Sequence, residues 1–251
     1  MADASTGDAV TFESRDKITW ITINRPEKLN TLNDAVLDGL HEAWIRYGEN
    51  DDRCAIVTAA GDRAFCAGAD IGGFKGEMWE AIPNVGVAVE KPLIAAVKGH
   101  CIGGGAVIAS ACDLVVTGER SQWWYPEAQV GFSGGVVAGL AGRMPLKFAM
   151  EFAILGEKIS GADAVRMGLA NRCVPEDDVV ATAERMAHVL ADSAPLVVRA
   201  LKKLMLETVG RSPLEIAGPA RAMLATINAS DDRAEGVRSF QEKRPPRFTG
   251  R

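Results

Sequence analysis

Residues 99–113 read GHCIGGGAVIASACD, with three consecutive glycines, Gly103, Gly104 and Gly105, running into a segment of small, uncharged residues. A run such as AVIASAC has no polar face, which predicts a helix buried all round. The first backbone N–H groups of a helix have no intrahelical partners, and the helix dipole adds partial positive charge there. Glycine lacks a Cβ, so a ligand atom can come close to that backbone. The strand-like PLIAAVKG (92–99) leads into the stretch. The order strand, glycines, buried helix predicts an α/β fold with a place to hold negative charge at the helix start. Spacing alone is also compatible with simple close packing of helix against strand.

A second stretch, FCAGADI (65–71), has the same character: an apolar lead, small residues, then an acid. Two backbone donors from separate loops, meeting on one oxygen, would form an oxyanion hole. Other short apolar runs bounded by Gly, Pro or Asn read as strands: KITWITINRP (17–26), CAIVTAAG (54–61) and DLVVTG (113–118). Between the first two, Val36, Leu37, Leu40, Ala43 and Trp44 fall on one face of a helix that Asn33 can cap. Beyond about residue 145 the pattern turns helical. LKFAMEFAILG stops at Gly156, SGADAVRMG starts on Ser160, and helix-period segments follow at about 177–192, 195–209, 212–227 and 232–242. Strands first and helices last predict an α/β core with a C-terminal helical appendage.

Composition narrows the function classes. The 251 residues are 47% hydrophobic and carry a net charge of -5, which argues against a nucleic-acid surface built from clustered Lys and Arg. The N-terminal stretch MADASTGDAV has no basic-then-apolar signal, and no uncharged run reaches bilayer-spanning length. A soluble cytoplasmic protein is expected, with no membrane partner. Cys54, Cys66, Cys101, Cys112 and Cys173 are scattered in apolar stretches and read as buried thiols. Only His41, His100 and His188 are present, far apart in sequence, so no metal site is expected.

Seven segments then carry a resemblance: INRPEKLNTLN (23–33), AFCAGADI (64–71), KPLIAAVKGHCIGGG (91–105), ACDLVV (111–116), YPEAQVGF (125–132), MGLANRCVP (167–175) and FQEKRPPRF (240–248). In order and spacing the chain resembles the crotonase superfamily, the enoyl-CoA hydratase/isomerase proteins. The resemblance implies a crotonase-like spiral of ββα units over residues 1–192 and a C-terminal helical trimerisation region over 193–251, assembled as a homotrimer or a dimer of trimers. It implies acyl-CoA thioester substrates, with coenzyme A as part of the substrate and no separate cofactor. The thioester oxygen would be held by the N–H groups of Ala69 and Gly104. The adenine would lie along Lys28 and Leu29 and around Ala67, Asp70 and Ile71, with Phe240 and Lys243 closing over the nucleotide.

The resemblance also implies two glutamates in hydratases. One corresponds to Glu127; the other position, on the helix after the glycines, holds Val107. Residue 107 is three beyond Gly104 and shares its helical face. Valine moves no proton, so a double-bond shift with Glu127 as the acid/base is favoured over hydration, which needs a water activated and a carbon protonated. Trp123, Trp124, Val107 and Phe132 are apolar neighbours able to raise the Glu127 pKa, and the resemblance makes Val107, Trp124 and Phe132 substrate-binding residues. A hydratase, or a CoA-binding protein with weak catalysis, is the alternative. Asp70 is read as a turn and backbone contributor, and Asp113 as a buried structural carboxylate. The segment between Ile71 and Lys91, with its glycines and Met78 and Trp79, reads as mobile or as ordered by ligand. GFSGG (131–135) satisfies G-x-S-x-G with Ser133, but that motif needs a strand before it, and Pro126 makes YPEAQV a poor one.

Overall fold

Among the described residues ten strands form two sheets. The computed structural model describes residues 9–70, 77–131, 133, 135–208, 225 and 229–249. Six strands build the larger sheet: β1 (Val10–Arg15), β2 (Ile18–Ile23), β3 (Cys54–Ala59), β5 (Leu93–Val97), β7 (Leu114–Gly118) and β10 (Arg172–Val174), in that spatial order. The smaller sheet has β4 (Ala64–Cys66), β6 (His100–Ile102), β8 (Gln122–Trp124) and β9 (Ile159–Ser160), again in that order. Apart from the β1–β2 hairpin and the β8–β9 edge, every pairing is parallel. The chain visits the sheets alternately: β3 then β4, β5 then β6, β7 then β8. Each pair is followed by a return through helical turns, which makes a spiral of strand–strand–helix units.

The helices are α1 (Asp34–Glu49), α2 (Gly104–Ala111), α3 (Glu127–Val130), α4 (Leu146–Met150), α5 (Gly161–Met167), α6 (Val179–Ala191), α7 (Pro195–Thr208) and α8 (Asp231–Gln241). In α1 the five expected core residues are buried, and the Asn33 side chain accepts the Val36 N–H at 3.1 Å, fixing the helix start. Ser160 caps α5 in the same way. The single helix expected over 146–156 is interrupted: α4 passes into a π-turn, Glu151–Leu155, before Gly156 ends it at φ 59. The helix expected at 212–227 falls almost entirely outside the described residues. The strand PLIAAVKG does not run directly into the glycines. It ends at Val97, and the chain crosses to the smaller sheet as β6 first.

Two cores result. The main one lies between the sheets and under α1 and α2, with Trp44, Tyr47, Phe65 and Trp123 among its fully buried side chains. The second packs α6 on the outer face of β2, β3, β5 and β7 through Ile18, Ile56, Ile94, Val116, Val179 and Ala183. Cys54, Cys66, Cys101 and Cys112 are buried thiols, as expected, and Cys173 is half-buried. No helix among the described residues is long and apolar enough to cross a membrane.

Helix α2 is buried along almost its whole length because its side chains are small enough to sit against β4. A Cβ on Gly105 would fall 2.6 Å from both the Cβ and the carbonyl oxygen of Cys66, closer than real atoms approach. Gly105→Ala is therefore expected to lower unfolding stability by about 1–3 kcal/mol, because it pushes α2 off backbone rather than off a flexible side chain. Urea denaturation checks this; an unchanged midpoint would mean that α2 has freedom to shift.

Candidate active site

The smaller sheet brings three distant segments together at one edge. β4, β6 and β8 are adjacent and parallel, with Cys66 opposite Cys101 and Ile102 opposite Trp124. Neighbouring strands lie about 4.8 Å apart. Each strand releases one expected site residue within three residues of its carboxyl end: Ala69 after β4, Gly104 after β6 and Glu127 after β8. The carboxyl ends of parallel strands are where open α/β sheets bind ligands.

The Ala69 N–H is set free by a local pairing. Leu32 bridges Ala69 in parallel fashion, its N–H going to the Gly68 carbonyl at 2.9 Å and its carbonyl taking the Asp70 N–H at 2.8 Å. That bridge uses the groups on either side of Ala69, so the Ala69 N–H faces away from it. Gly104 is the first residue of α2, and its N–H is one of the unpaired donors of a helix start. Gly103 ahead of it sits at φ 54, ψ -118, a conformation natural to glycine alone. Its N–H donates to the Trp124 carbonyl at 2.8 Å, and its carbonyl accepts from Val107. This turn leaves the Gly104 N–H as the first donor of α2, two residues past the end of β6.

Glu127 opens α3 beside these donors. Its Oε1 lies 3.1 Å from where a Cβ would stand on Gly103, and its Oε2 is buried with no hydrogen-bond partner among the described residues. Removal from water pushes the Glu127 carboxyl up to about 8, and only its own backbone N–H pulls the other way. A group with that value exchanges a proton readily near neutral pH. Burial, and after it the Glu127 carboxyl, raises the neighbouring Tyr125 hydroxyl, which is bonded to Ser133. Ser133 follows α3 rather than a strand, and its Oγ accepts the Gly135 N–H, so the serine-hydrolase reading has no structural counterpart.

The remaining expected residues divide into those gathered at this edge and those that are not. Lys28 closes a 3-10 turn, Pro26–Lys28, and Leu29 follows at φ 52. The Leu29 carbonyl accepts the Ala67 N–H at 3.1 Å, so the 28–29 and 67–70 segments lie side by side. Asp70 pairs with Arg25 at 3.3 Å, a partly exposed bridge that braces this contact. Val107 is buried on the first turn of α2. Trp124 reaches the site through its carbonyl, while its indole N–H donates to Gly156 at 2.6 Å. Ile71 and Phe132 lie outside the described residues. Phe240 is 58% exposed on α8 and Lys243 lies just past its end. Among the described residues no hydrogen bond ties either side chain to the 28–29 or 67–70 segments. The helix itself is anchored beside the site, since Gly236 packs on the Val130 carbonyl at the end of α3.

Residues missed from the sequence complete the surroundings. Met78 stands over Gly104, its Sδ 2.9 Å from a would-be Cβ, with Leu32 Cδ1 at 2.7 Å. Met78–Ala81 form a 3-10 turn held by the Trp44 indole N–H on the Ala81 carbonyl at 2.8 Å, so this part of the segment is packed rather than loose. Among the described residues no three His, Cys, Asp or Glu side chains gather as a metal ion would require.

Residues 13–251 match a family model described as enoyl-CoA hydratase/isomerase. The chain belongs to the enoyl-CoA hydratase/isomerase family. Among curated relatives it is 31% identical to (E)-benzylidenesuccinyl-CoA hydratase of Thauera aromatica, over 96% of this chain and 99% of that one. It is 33% identical to carnitinyl-CoA dehydratase of Proteus mirabilis, over 95% and 97%. The solved carnitinyl-CoA hydratase of Mycobacterium avium superposes with a TM-score of 0.88 at 32% identity, covering 98% of this chain and all of that one. EchA1_1 of Mycobacterium paratuberculosis gives 0.87 at 32%, with the same coverage. The fold is therefore the crotonase fold, and the alternating strands of the two sheets are its spiral.

Burial of an ionisable Glu127 has a cost that depends on pH. Its folded value, about 8, lies above its ordinary 4.5, so the unfolded chain releases this proton first and stability falls as pH rises from about 4.5 to about 8. Glu127→Gln removes the ionisation. The variant is expected to match the wild type near pH 4 and to exceed it at pH 9 by an amount on the order of 5 kcal/mol at most, read by denaturant unfolding. A constant difference across pH would mean that the carboxyl is solvated.

Proposed function

We propose that this enzyme moves a double bond in an enoyl-CoA thioester, with Glu127 as the only carboxylate acting on the substrate. The observation that carries the reading is the buried, unpartnered Glu127 Oε2 beside the free N–H groups of Ala69 and Gly104, with Val107 where a second acid would stand. The thioester oxygen accepts from Ala69 and Gly104. Glu127 removes a proton from C2 of a 3-enoyl-CoA, and the negative charge passes to that oxygen as a dienolate. Preorganised donors in a site shut from water stabilise this charge without reorganising. The same carboxyl then returns the proton at C4. The adenosine part lies along Lys28, Leu29, Ala67 and Asp70, with Phe240 on α8 and Lys243 just past its end reaching the nucleotide. Coenzyme A enters as part of the substrate, and no metal is needed.

A hydratase is the second reading, favoured by the names of the relatives, which are hydratases and dehydratases. In that case Glu127 activates water alone. The two readings separate in one set of assays. Isomerisation of a 3-enoyl-CoA is expected to rise with pH around 8, where Glu127 becomes the base, and to fall by about 10²–10⁴ in Glu127→Gln. Val107→Glu supplies the missing acid and should raise hydration relative to isomerisation. Wild-type hydration faster than isomerisation would give the second reading, and turnover of neither would reject both.

We also propose that copies of this chain associate through the region from residue 193 onward. On α7 the side chains of Leu196, Val197, Leu201, Leu204 and Met205 are each more than half exposed along one face, more apolar surface than a lone helix gains by leaving in water. Sedimentation should give a trimer or a dimer of trimers, and Leu201→Glu with Leu204→Glu should give monomers. A wild-type monomer at micromolar concentration would refute the assembly.

A further inference from the structure

Past Val107, deeper along α2, lies a small cavity that the proton transfer at Glu127 leaves unused. Its volume is about 20 Å³, enough for a water-sized group, and Ile82, Val85, Val107, Ser110, Leu140 and Arg143 line it. Apolar side chains make most of the wall. The exception is the Arg143 guanidinium, whose Nη1 donates to the Cys112 carbonyl at 3.0 Å while the buried Nη2 has no hydrogen-bond partner among the described residues. Ser110, one turn beyond Val107, gives its hydroxyl hydrogen to the Val107 carbonyl at 3.1 Å and keeps its lone pairs.

A buried cationic donor without an acceptor is costly, and the nearest acid does not relieve it. Asp113 Oδ2 already accepts the Leu93 N–H at 2.8 Å and the Lys202 ammonium at 2.7 Å. Arg143, Lys202 and Asp113 together thus leave one positive charge in excess. Burial lowers the Arg143 pKa and Asp113 raises it, but a guanidinium keeps its proton at any working pH. At 1.5 Å per residue, Ser110 stands about 9 Å along the α2 axis from Gly104, a span that an acyl chain can cover from a thioester held at Gly104.

We propose that the preferred acyl group ends in a carboxylate, and that Arg143 Nη2 in this cavity receives one of its oxygens. The inference rests on the acyl-CoA reading of the site, but not on which reaction follows. It makes Arg143 a specificity-determining residue: a methyl-ended chain leaves the guanidinium unmet, whereas a carboxylate-ended chain of the right length meets it with a charge-assisted bond.

The test is binding, so that it does not depend on turnover. Saturated ω-carboxyacyl-CoA thioesters of increasing length are titrated calorimetrically into the whole enzyme, each against its methyl-ended analogue. At one length the carboxylate is expected to bind about tenfold tighter or better, a preference that Arg143→Met reverses and Arg143→Lys, which keeps the charge, partly retains. Equal or tighter wild-type binding of the methyl-ended member at every length overturns the inference, since a water then suffices for Arg143. So does a preference that survives in a folded Arg143→Met. Binding of neither series would reject the acyl-CoA reading itself, and with it this inference. A carboxylate preference with no turnover would reject the proposed reaction while leaving Arg143 in its role.

Discussion

The parallel pairing of β4, β6 and β8 is the constraint on which the site depends. Each strand is only three residues long, too short to hold register unaided. Register comes from the larger sheet, since β3, β5 and β7 are fully paired and almost wholly buried, and each is joined by a short connection to its partner in the smaller sheet. A slip of one residue in β6 would turn Gly104 away from Ala69 and Glu127. A buried carboxylate just past β10 resists such a slip. Glu176 accepts the backbone N–H groups of Gly99 and Arg120 and the Ser121 hydroxyl, which locks the turns between β5 and β6 and between β7 and β8.

Around that frame, local rules are broken where the chemistry is proposed. Helix α2 starts without a side-chain cap, Gly103 takes a backbone conformation closed to other residues, and Glu127 lies buried without a partner. Each departure costs stability, and together they leave the α2 start and the Glu127 carboxyl free to meet a ligand. Many other positions follow the rules. Asn33, Ser160 and Ser230 cap their helices, and the buried Asp52 is surrounded by the hydroxyls of Ser14 and Thr19 and the amide of Asn50. Unpartnered polar atoms occur elsewhere too, as at Trp20 and Asn84, but at the carboxyl edge of the smaller sheet all three departures are gathered.

Much of this was legible in the residues. β2, β3, β5, β7, α1 and the α5 cap follow from runs long enough to show a period or a capping signal. The strands of the smaller sheet escaped notice because three residues carry no periodicity, and AFC, HCI and QWW read equally well as ends of their neighbours. The interruption at Glu151–Leu155 was hidden for a different reason, as a π-turn has the same apolar pattern as the helix it continues. Met78 over Gly104 and Arg143 in its cavity had no signal in one dimension. Ser110 did have one, because it stands three residues beyond Val107 on the same face of α2.

The residues alone gave the family, through motifs that keep their order over most of the chain, and they singled out Glu127 and Val107. Those are properties of identity and spacing, which short-range chemistry reads directly. The approach of Ala69, Gly104 and Glu127, the climb of the Glu127 carboxyl to about 8 and the unmet nitrogen of Arg143 belong to the folded chain only. They arise from contacts between segments tens of residues apart. Burial and the loss of water around a charge depend on every neighbour at once, which a local pattern does not encode.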